Sequence, residues 1–145
     1  MDIFIAALQQ LATVSGLTFL VIGVVVGLIF GALPGLGGTT ALAVLIPLTF
    51  GMTASDAILM LGGVMGASSF GGSITAILIN TPGTSSNAAT CLDGHPLARQ
   101  GKAGMAIGAA ATASSLGGLI GVGVLLLILP FAKSMILAFG LLAFF

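Results

Sequence analysis

Residues 17–40 read LTFLVIGVVVGLIFGALPGLGGTT. Leu17 to Leu33 is an uncharged apolar run close to the roughly 20 residues that cross a hydrocarbon core. It stops at Pro34-Gly35-Leu36-Gly37-Gly38, because proline and glycine stacked together cannot propagate a helix. Thr39 or Thr40 then caps a new helix over Ala41–Phe50. That piece is short for a span and suits a re-entrant or broken helix. An apolar helix that breaks at a Pro-Gly motif and restarts decides the fold class. We read the chain as an all-α, polytopic membrane protein with about three to five membrane-embedded helices, some broken or re-entrant at Pro-Gly motifs.

Composition agrees. Of 145 residues, only six are charged, three Lys/Arg and three Asp/Glu, and 58% are hydrophobic. A soluble domain needs a charged surface that six side chains cannot supply. Disorder needs low hydrophobicity, and nucleic-acid binding needs a basic surface; the net charge is zero. A membrane barrel would alternate polar and apolar residues over about ten positions, and no stretch does so. The start, Met1-Asp2-Ile3-Phe4, has no basic region before the apolar run, unlike a secretory signal peptide.

Outward from the opening stretch, residues 3–14 form a short leading helix marked by Gln9, Gln10 and Thr13. Gly51-Met52-Thr53 is a turn, with Thr53 or Ser55 capping the next helix. Residues 54–80 are long enough to cross, but Gly62-Gly63, Gly66, Ser68-Ser69 and Gly71-Gly72-Ser73 should interrupt them. Asn80–Lys102 is the one polar stretch, with a turn-like Asp93-Gly94-His95-Pro96. Residues 103–129 are a further span that Pro130 should stop, and another helix begins near Ser134. Asp56, at a helix start, reads as a cap favoured by the helix dipole. No buried acid stands out as a proton carrier.

Small residues recur every fourth position at Gly23, Gly27, Gly31 and Gly35, and again at Ala109, Ala113, Gly117 and Gly121. Residues at i and i+4 share a helix face, and small faces let helices in lipid approach closely. Such grooves serve packing, or a helix that slides along them. Arg99 and Lys102 on one loop against Lys133 on the next favour the first loop as cytoplasmic.

Enzyme chemistry finds no support. Gly101-Lys102-Ala103 fails the phosphate-loop pattern, Gly35–Thr40 lacks the third glycine of the dinucleotide fingerprint, and Gly66–Phe70 ends wrongly for a hydrolase elbow. One histidine, His95, and one cysteine, Cys91, are too few for a metal site or an internal disulfide. His95 reads as a turn residue at a membrane surface.

Two glycine-rich segments remain, Pro34–Thr40 and Asn80–Thr84. Each places unwound backbone beside a helix end. Helix N-termini offer free N–H groups and partial positive charge, and glycine lets a ligand approach the backbone. Unwound carbonyls suit cations. Both segments are either parts of a transport site or loops at the membrane surface.

At these residues a resemblance emerges. Gly27–Gly38 (GLIFGALPGLGG), Leu45–Met52 (LIPLTFGM), Gly71–Thr84 (GGSITAILINTPGT) and Asp93–Gly104 (DGHPLARQGKAG) closely resemble, in order, the large membrane subunit of the tripartite tricarboxylate transporters, the TctA family. The resemblance implies a bacterial inner-membrane, multi-pass secondary transporter, a symporter driven by sodium or protons. Its implied partners are a small four-helix membrane subunit and a periplasmic solute-binding protein, and its substrates di- and tricarboxylates such as citrate. Alternating access, of elevator type, is expected from similar binding-protein-dependent carriers. Members are several times longer, so residues 1–145 read as one membrane domain from the front of a two-half permease. Phe139-Gly140-Leu141-Leu142-Ala143 departs from the usual Phe-Gly-Pro-Pro-Glu, and Met65 replaces an aromatic. The closing Phe144-Phe145 falls inside an apolar helix.

No Arg or Lys lies inside an expected span, where it would cost about 2.5–3.5 kcal/mol and hold an anion tightly. Backbone N–H groups and hydroxyls release it more readily, and Ser73, Thr75, Thr84, Ser85 and Ser86 supply hydroxyls. The expected substrate-binding set is Pro34, Gly35, Gly37, Gly38, Thr39, Ser73, Thr81, Pro82, Gly83, Thr84, Ser85 and Ser86. Asn80 is expected to serve a coupling ion, with sodium favoured over protons and no other cofactor. A second reading is a non-transporting membrane scaffold that packs through glycine faces. A third, a small channel, lacks a polar stripe along a span.

Overall fold

A computed structural model describes residues 2–142 of the chain. The terminal Phe144-Phe145 and the side chain of Lys133, both used above, lie outside the described residues. The elements are α1 (Asp2–Leu11), α2 (Val14–Ala32), α3 (Gly37–Leu45) with a 3-10 turn at Ile46–Thr49, α4 (Ala54–Ile79), a 3-10 turn at Ser85–Asn87, α5 (Ala88–Arg99) and α6 (Ala103–Leu142). No strand occurs among the described residues. Val14–Ala32, Ala54–Ile79 and Ala103–Leu129 are long and apolar enough to cross a membrane, and Gly37–Thr49 is a shorter apolar piece. This is the all-α polytopic membrane architecture expected.

Residues 1–110 and 111–145 form two compact units. The first is organised on α2 against α4. A Cβ at Gly23, Gly27 or Gly31 would overlap the backbone carbonyl of Met60, Val64 or Ser68 respectively. From the other side, a Cβ at Gly63 would lie 2.8 Å from the Leu20 carbonyl oxygen, and one at Gly71 2.5 Å from that of Leu28. Positions on both helices rise together, so the two run parallel at backbone contact. The first glycine stripe therefore serves packing. Its fourth member, Gly35, departs: φ is +85° and nothing lies within 4 Å of its Cβ position. Val21, Ile22, Val25 and Ile29 on the outer face of α2 are exposed, as lipid-facing residues should be.

The expected interruption of residues 54–80 does not occur. Helix α4 is continuous over 26 residues, about 39 Å. Its glycines at 63, 71 and 72 are packing contacts, and those at 62 and 66 face open space. The propensity cost of roughly 1 kcal/mol per glycine is offset where close approach brings two backbones together.

Parallel neighbours need a returning connection. After α2 ends, Leu33–Leu36 turns the chain, and α3 with its 3-10 turn runs back alongside α4. Gly38 lies against Ser68 and Met65, while Thr53 starts α4. Neither Thr39 nor Thr40 caps α3, as the sequence reading had it. The helix begins at Gly37, its N-cap is Leu36, and no side chain bonds there. Gly37, at φ +61°, supplies the left-handed turn that an early start requires. The helix tightens into the 3-10 turn where Pro47 enters.

The far end of α4 is closed by Asn80 in the left-handed conformation, φ 56°, which asparagine tolerates better than most residues. Thr81–Thr84 then doubles back beside Gly72, to which Gly83 N–H donates at 3.4 Å. The stretch read as a polar loop is largely α5. His95 is not a turn residue. It lies within this helix, its Nδ1 3.1 Å from the Ile77 carbonyl oxygen, among the carbonyls that the end of α4 leaves free. A Cβ at Gly94 would meet Ile77 Cγ1 at 2.7 Å, so Gly94 allows α5 close to α4. Gly101, at φ +78°, ends α5 with bonds from Gly101 N to Ala98 O and from Lys102 N to Leu97 O, each 3.0 Å, a Schellman closure.

At the opposite end, Thr13 caps α2 by accepting from Gly16 N at 3.0 Å, and Thr53 caps α4 by accepting from Asp56 N at 3.3 Å. Thr53 rather than Asp56 is therefore the cap, and Asp56 stands three residues on, in the first turn, where its carboxylate bonds hydroxyls. It is 6% exposed, so the chain does hold a buried acid. Its Oδ2 accepts from Thr53 Oγ1 and from Ser15 Oγ, each at 2.9 Å. One carboxylate thus ties the starts of α2 and α4.

Pro130 does not end the last helix, and none begins anew at Ser134; α6 continues from Ala103 to Leu142. Within the second unit, residues 112–129 are exposed. No atom lies within 4 Å of a Cβ built at Gly117 or Gly121.

Candidate functional site

Two chain reversals meet. The first is the α2–α3 tip, Leu33–Leu36; the second is the Thr81–Thr84 return leading into α5. A Cβ at Gly83 would overlap the Gly31 carbonyl oxygen and lie 2.6 Å from Gly72 Cα. Only glycine lets the second tip sit on the end of α2. Between the tips lies a cleft of about 400 Å3, lined by Gly35, Leu36, Gly37, Gly38, Thr39, Met65, Ser68, Ser69, Gly83, Thr84, Ser85 and Ser86. Ser68 stands about 21 Å along the 39 Å of α4, so the cleft is near its middle.

Of the expected binding residues, Gly35, Gly37, Gly38, Thr39, Gly83, Thr84, Ser85 and Ser86 share this cleft. Pro34, Ser73, Asn80, Thr81 and Pro82 are not among its lining residues. Pro34 is exposed at the tip of the first reversal. Ser73 is buried and accepts from Asn87 Nδ2 at 2.6 Å. Thr81 donates to the Ile79 carbonyl at 3.3 Å. Asn80 is exposed at the end of α4.

Leu36, Met65, Ser68 and Ser69 join the cleft without having been expected. Met65, Ser68 and Ser69 share a helix face only if α4 is continuous, and the glycines argued for a break. Asn87 was also missed. It is 5% exposed and bonds to Ser69 O at 3.0 Å, to Ser73, and to Thr84 Oγ1, which donates to its Oδ1. An asparagine at a helix start is a conventional signal, but its partners lie 14 and 18 residues back.

The first turn of α3 leaves the N–H groups of Gly37, Gly38 and Thr39 without intrahelical partners, and no side chain caps them. The turn at Ser85–Asn87 leads into a second helix start on the opposite wall. No lining residue is charged. Each helix start carries up to about half a positive elementary charge, so the cleft is polar and mildly electropositive without a fixed cation. That suits reversible binding of an anionic group. No cluster of three or more His, Cys, Asp or Glu that could hold a metal occurs among the described residues.

Parallel spans, a helix broken at Pro34–Gly38 and two chain reversals within one helical bundle define a polytopic membrane protein with a broken helix. The chain belongs to the tripartite tricarboxylate transporter TctA family, whose model matches residues 17–145. It is 42% identical over 119 residues to an uncharacterized 52.8 kDa protein in the TAR-I ttuC' 3' region of Agrobacterium vitis. That match takes in 82% of this chain and 24% of the relative, so the chain spans about a quarter of the curated relative's length. No solved structure matches it.

Proposed function

We propose that this chain is part of the membrane subunit of a cation-coupled secondary transporter that takes up di- and tricarboxylates across the bacterial inner membrane. Its partners in this reading are a small four-helix membrane subunit and a periplasmic solute-binding protein that delivers the substrate. The observation that carries the reading is the meeting of two broken-helix tips across an uncharged polar cleft half-way along α4. A substrate carboxylate accepts the free N–H groups of Gly37, Gly38 and Thr39. The hydroxyls of Thr39, Ser69 and Ser85, which have no partner among the described residues, complete its shell. Charge-assisted bonds of this kind are roughly twice as strong as neutral ones, yet no ion pair must be broken at release. The remaining carboxylates of a polyacid need groups from beyond these residues. Sodium is the favoured coupling ion, with the Asn80 amide as a ligand. A scaffold role draws on the open glycine face of α6 but leaves the cleft without a purpose.

Uptake tests this in cells carrying the full-length permease and both partners. Gly37→Val puts a branched side chain at φ +61°, with its Cβ 3.7 Å from Thr84 Cγ2, and should abolish carboxylate uptake. Thr39→Val removes one donor and should raise the half-saturating substrate concentration about tenfold. Wild-type uptake in both variants at normal membrane level would rule out the cleft as the binding site.

A further inference from the structure

The direction of the hydrogen bonds behind the cleft wall is fixed by one atom. Ser69 O is a backbone carbonyl and can only accept. The Asn87 side-chain atom 3.0 Å from it must therefore be the amide nitrogen, which places Oδ1 toward Thr84. Oδ1 can only accept, so the single hydroxyl proton of Thr84 is committed to Asn87. Thr84 Oγ1 and Ser86 Oγ lie 2.9 Å apart, and with the Thr84 proton already used, Ser86 is the donor there. Behind this chain, Asn87 gives its other N–H to Ser73 Oγ at 2.6 Å. Every polar atom of the buried amide is spoken for.

The consequence reaches the cleft. Thr84 and Ser86 line it, with the Thr84 methyl toward Gly37, and neither hydroxyl has a proton left to offer, so to a ligand each can only accept. Ser68 behaves alike, its proton going to Met65 O at 3.0 Å. Thr39, Ser69 and Ser85 keep theirs. One cleft thus holds two kinds of wall: donors for a carboxylate at the start of α3, and acceptors at Thr84 and Ser86. The helix start behind Ser85–Asn87 carries partial positive charge, which disfavours a cation there and favours a neutral donor.

We infer that Asn87 is a positioning residue which turns Thr84 and Ser86 into a hydrogen-bond acceptor subsite, so that the cleft selects carboxylates bearing a hydroxyl over their deoxy counterparts. The inference rests on the carboxylate reading above. The hydroxyl proton of the substrate fills a lone pair that otherwise loses its water without replacement.

The test compares uptake of acid pairs differing by one hydroxyl, malate against succinate and citrate against tricarballylate, in the full-length permease with its partners. The wild type should prefer the hydroxylated member of a transported pair about tenfold in half-saturating concentration, one hydrogen bond's worth. Thr84→Val should bring that ratio close to one, and Thr84→Ser, which keeps the hydroxyl, should restore it. Asn87→Ala, checked for normal membrane level, frees the Thr84 proton and should also collapse the ratio. A ratio that Thr84→Val leaves intact, whether or not both acids weaken together, overturns the inference. So does a shift in the sodium requirement at unchanged ratio, which would make the hydroxyls cation ligands. Absence of wild-type uptake for all four acids would instead defeat the carboxylate reading itself.

Discussion

Gly27 sits where two backbones touch, and its replacement should separate them. A Cβ there would overlap the Val64 carbonyl oxygen and stand 2.8 Å from Val64 Cα. Ordinary carbon contacts are about 3.5–4.0 Å, so α2 and α4 must move apart by roughly 1 Å. All the obstructing atoms are backbone, and no rotamer change relieves them. Overpacking of this kind costs about 1–3 kcal/mol, against which alanine returns about 0.8–1 kcal/mol of helix propensity. Gly27→Ala should therefore lose up to about 2 kcal/mol, and Gly27→Leu more. Gly62 and Gly66 on α4 have nothing within 4 Å, so Gly62→Ala and Gly66→Ala should be neutral or gain up to about 1 kcal/mol. With no Trp or Tyr in the chain, unfolding is best followed by far-UV circular dichroism during denaturant titration in detergent micelles. Equal stability of Gly27→Ala and Gly62→Ala would refute the parallel backbone contact.

Asp56→Ala leaves the Ser15 and Thr53 hydroxyls without their shared acceptor and should cost about 1–3 kcal/mol in the same titration, whereas Thr53→Ala should cost about 1 kcal/mol. Gly101→Ala meets no atom within 4 Å but must hold φ +78°; it should cost about 1–2 kcal/mol, and less as Gly101→Asn. Asn80→Gly keeps the left-handed end of α4 while deleting the amide, so it should preserve membrane level yet raise the sodium needed for half-maximal uptake. An unchanged sodium requirement would remove Asn80 from the coupling site.

The break at Pro34–Gly38 and the Gly23/Gly27/Gly31 face were legible because proline and i, i+4 spacing act locally. Eight cleft residues were legible for the same reason, since both reversals are marked by glycine beside a hydroxyl residue. What escaped depended on the partner helix. Gly63 and Gly71 look like helix breakers until α2 stands against them, when the missing side chain becomes the contact. The Asp93–Pro96 stretch has every sign of a turn, yet Gly94 admits Ile77 and the whole segment is helical. Pro96 lies inside α5, three residues before its end, and costs the helix one N–H bond; packing against α4 overrides that local preference. Asn87 was invisible because its role is defined only by Ser69 and Ser73, which α4 brings beneath it.

In the proposed function both chain reversals face one bound carboxylate. Single cysteines at Thr39 and Ser85, one on each wall of the cleft, can be placed in a full-length permease with Cys91→Ala. Their alkylation rates in membranes are then measured with and without the transported carboxylate. Saturating carboxylate should slow alkylation at both positions by tenfold or more, since a ligand held between the walls covers both, while a cysteine at Gln100, exposed after α5 and away from the cleft, reacts at an unchanged rate. Protection at neither wall, with uptake retained in the labelled background, would contradict a substrate site between the two tips.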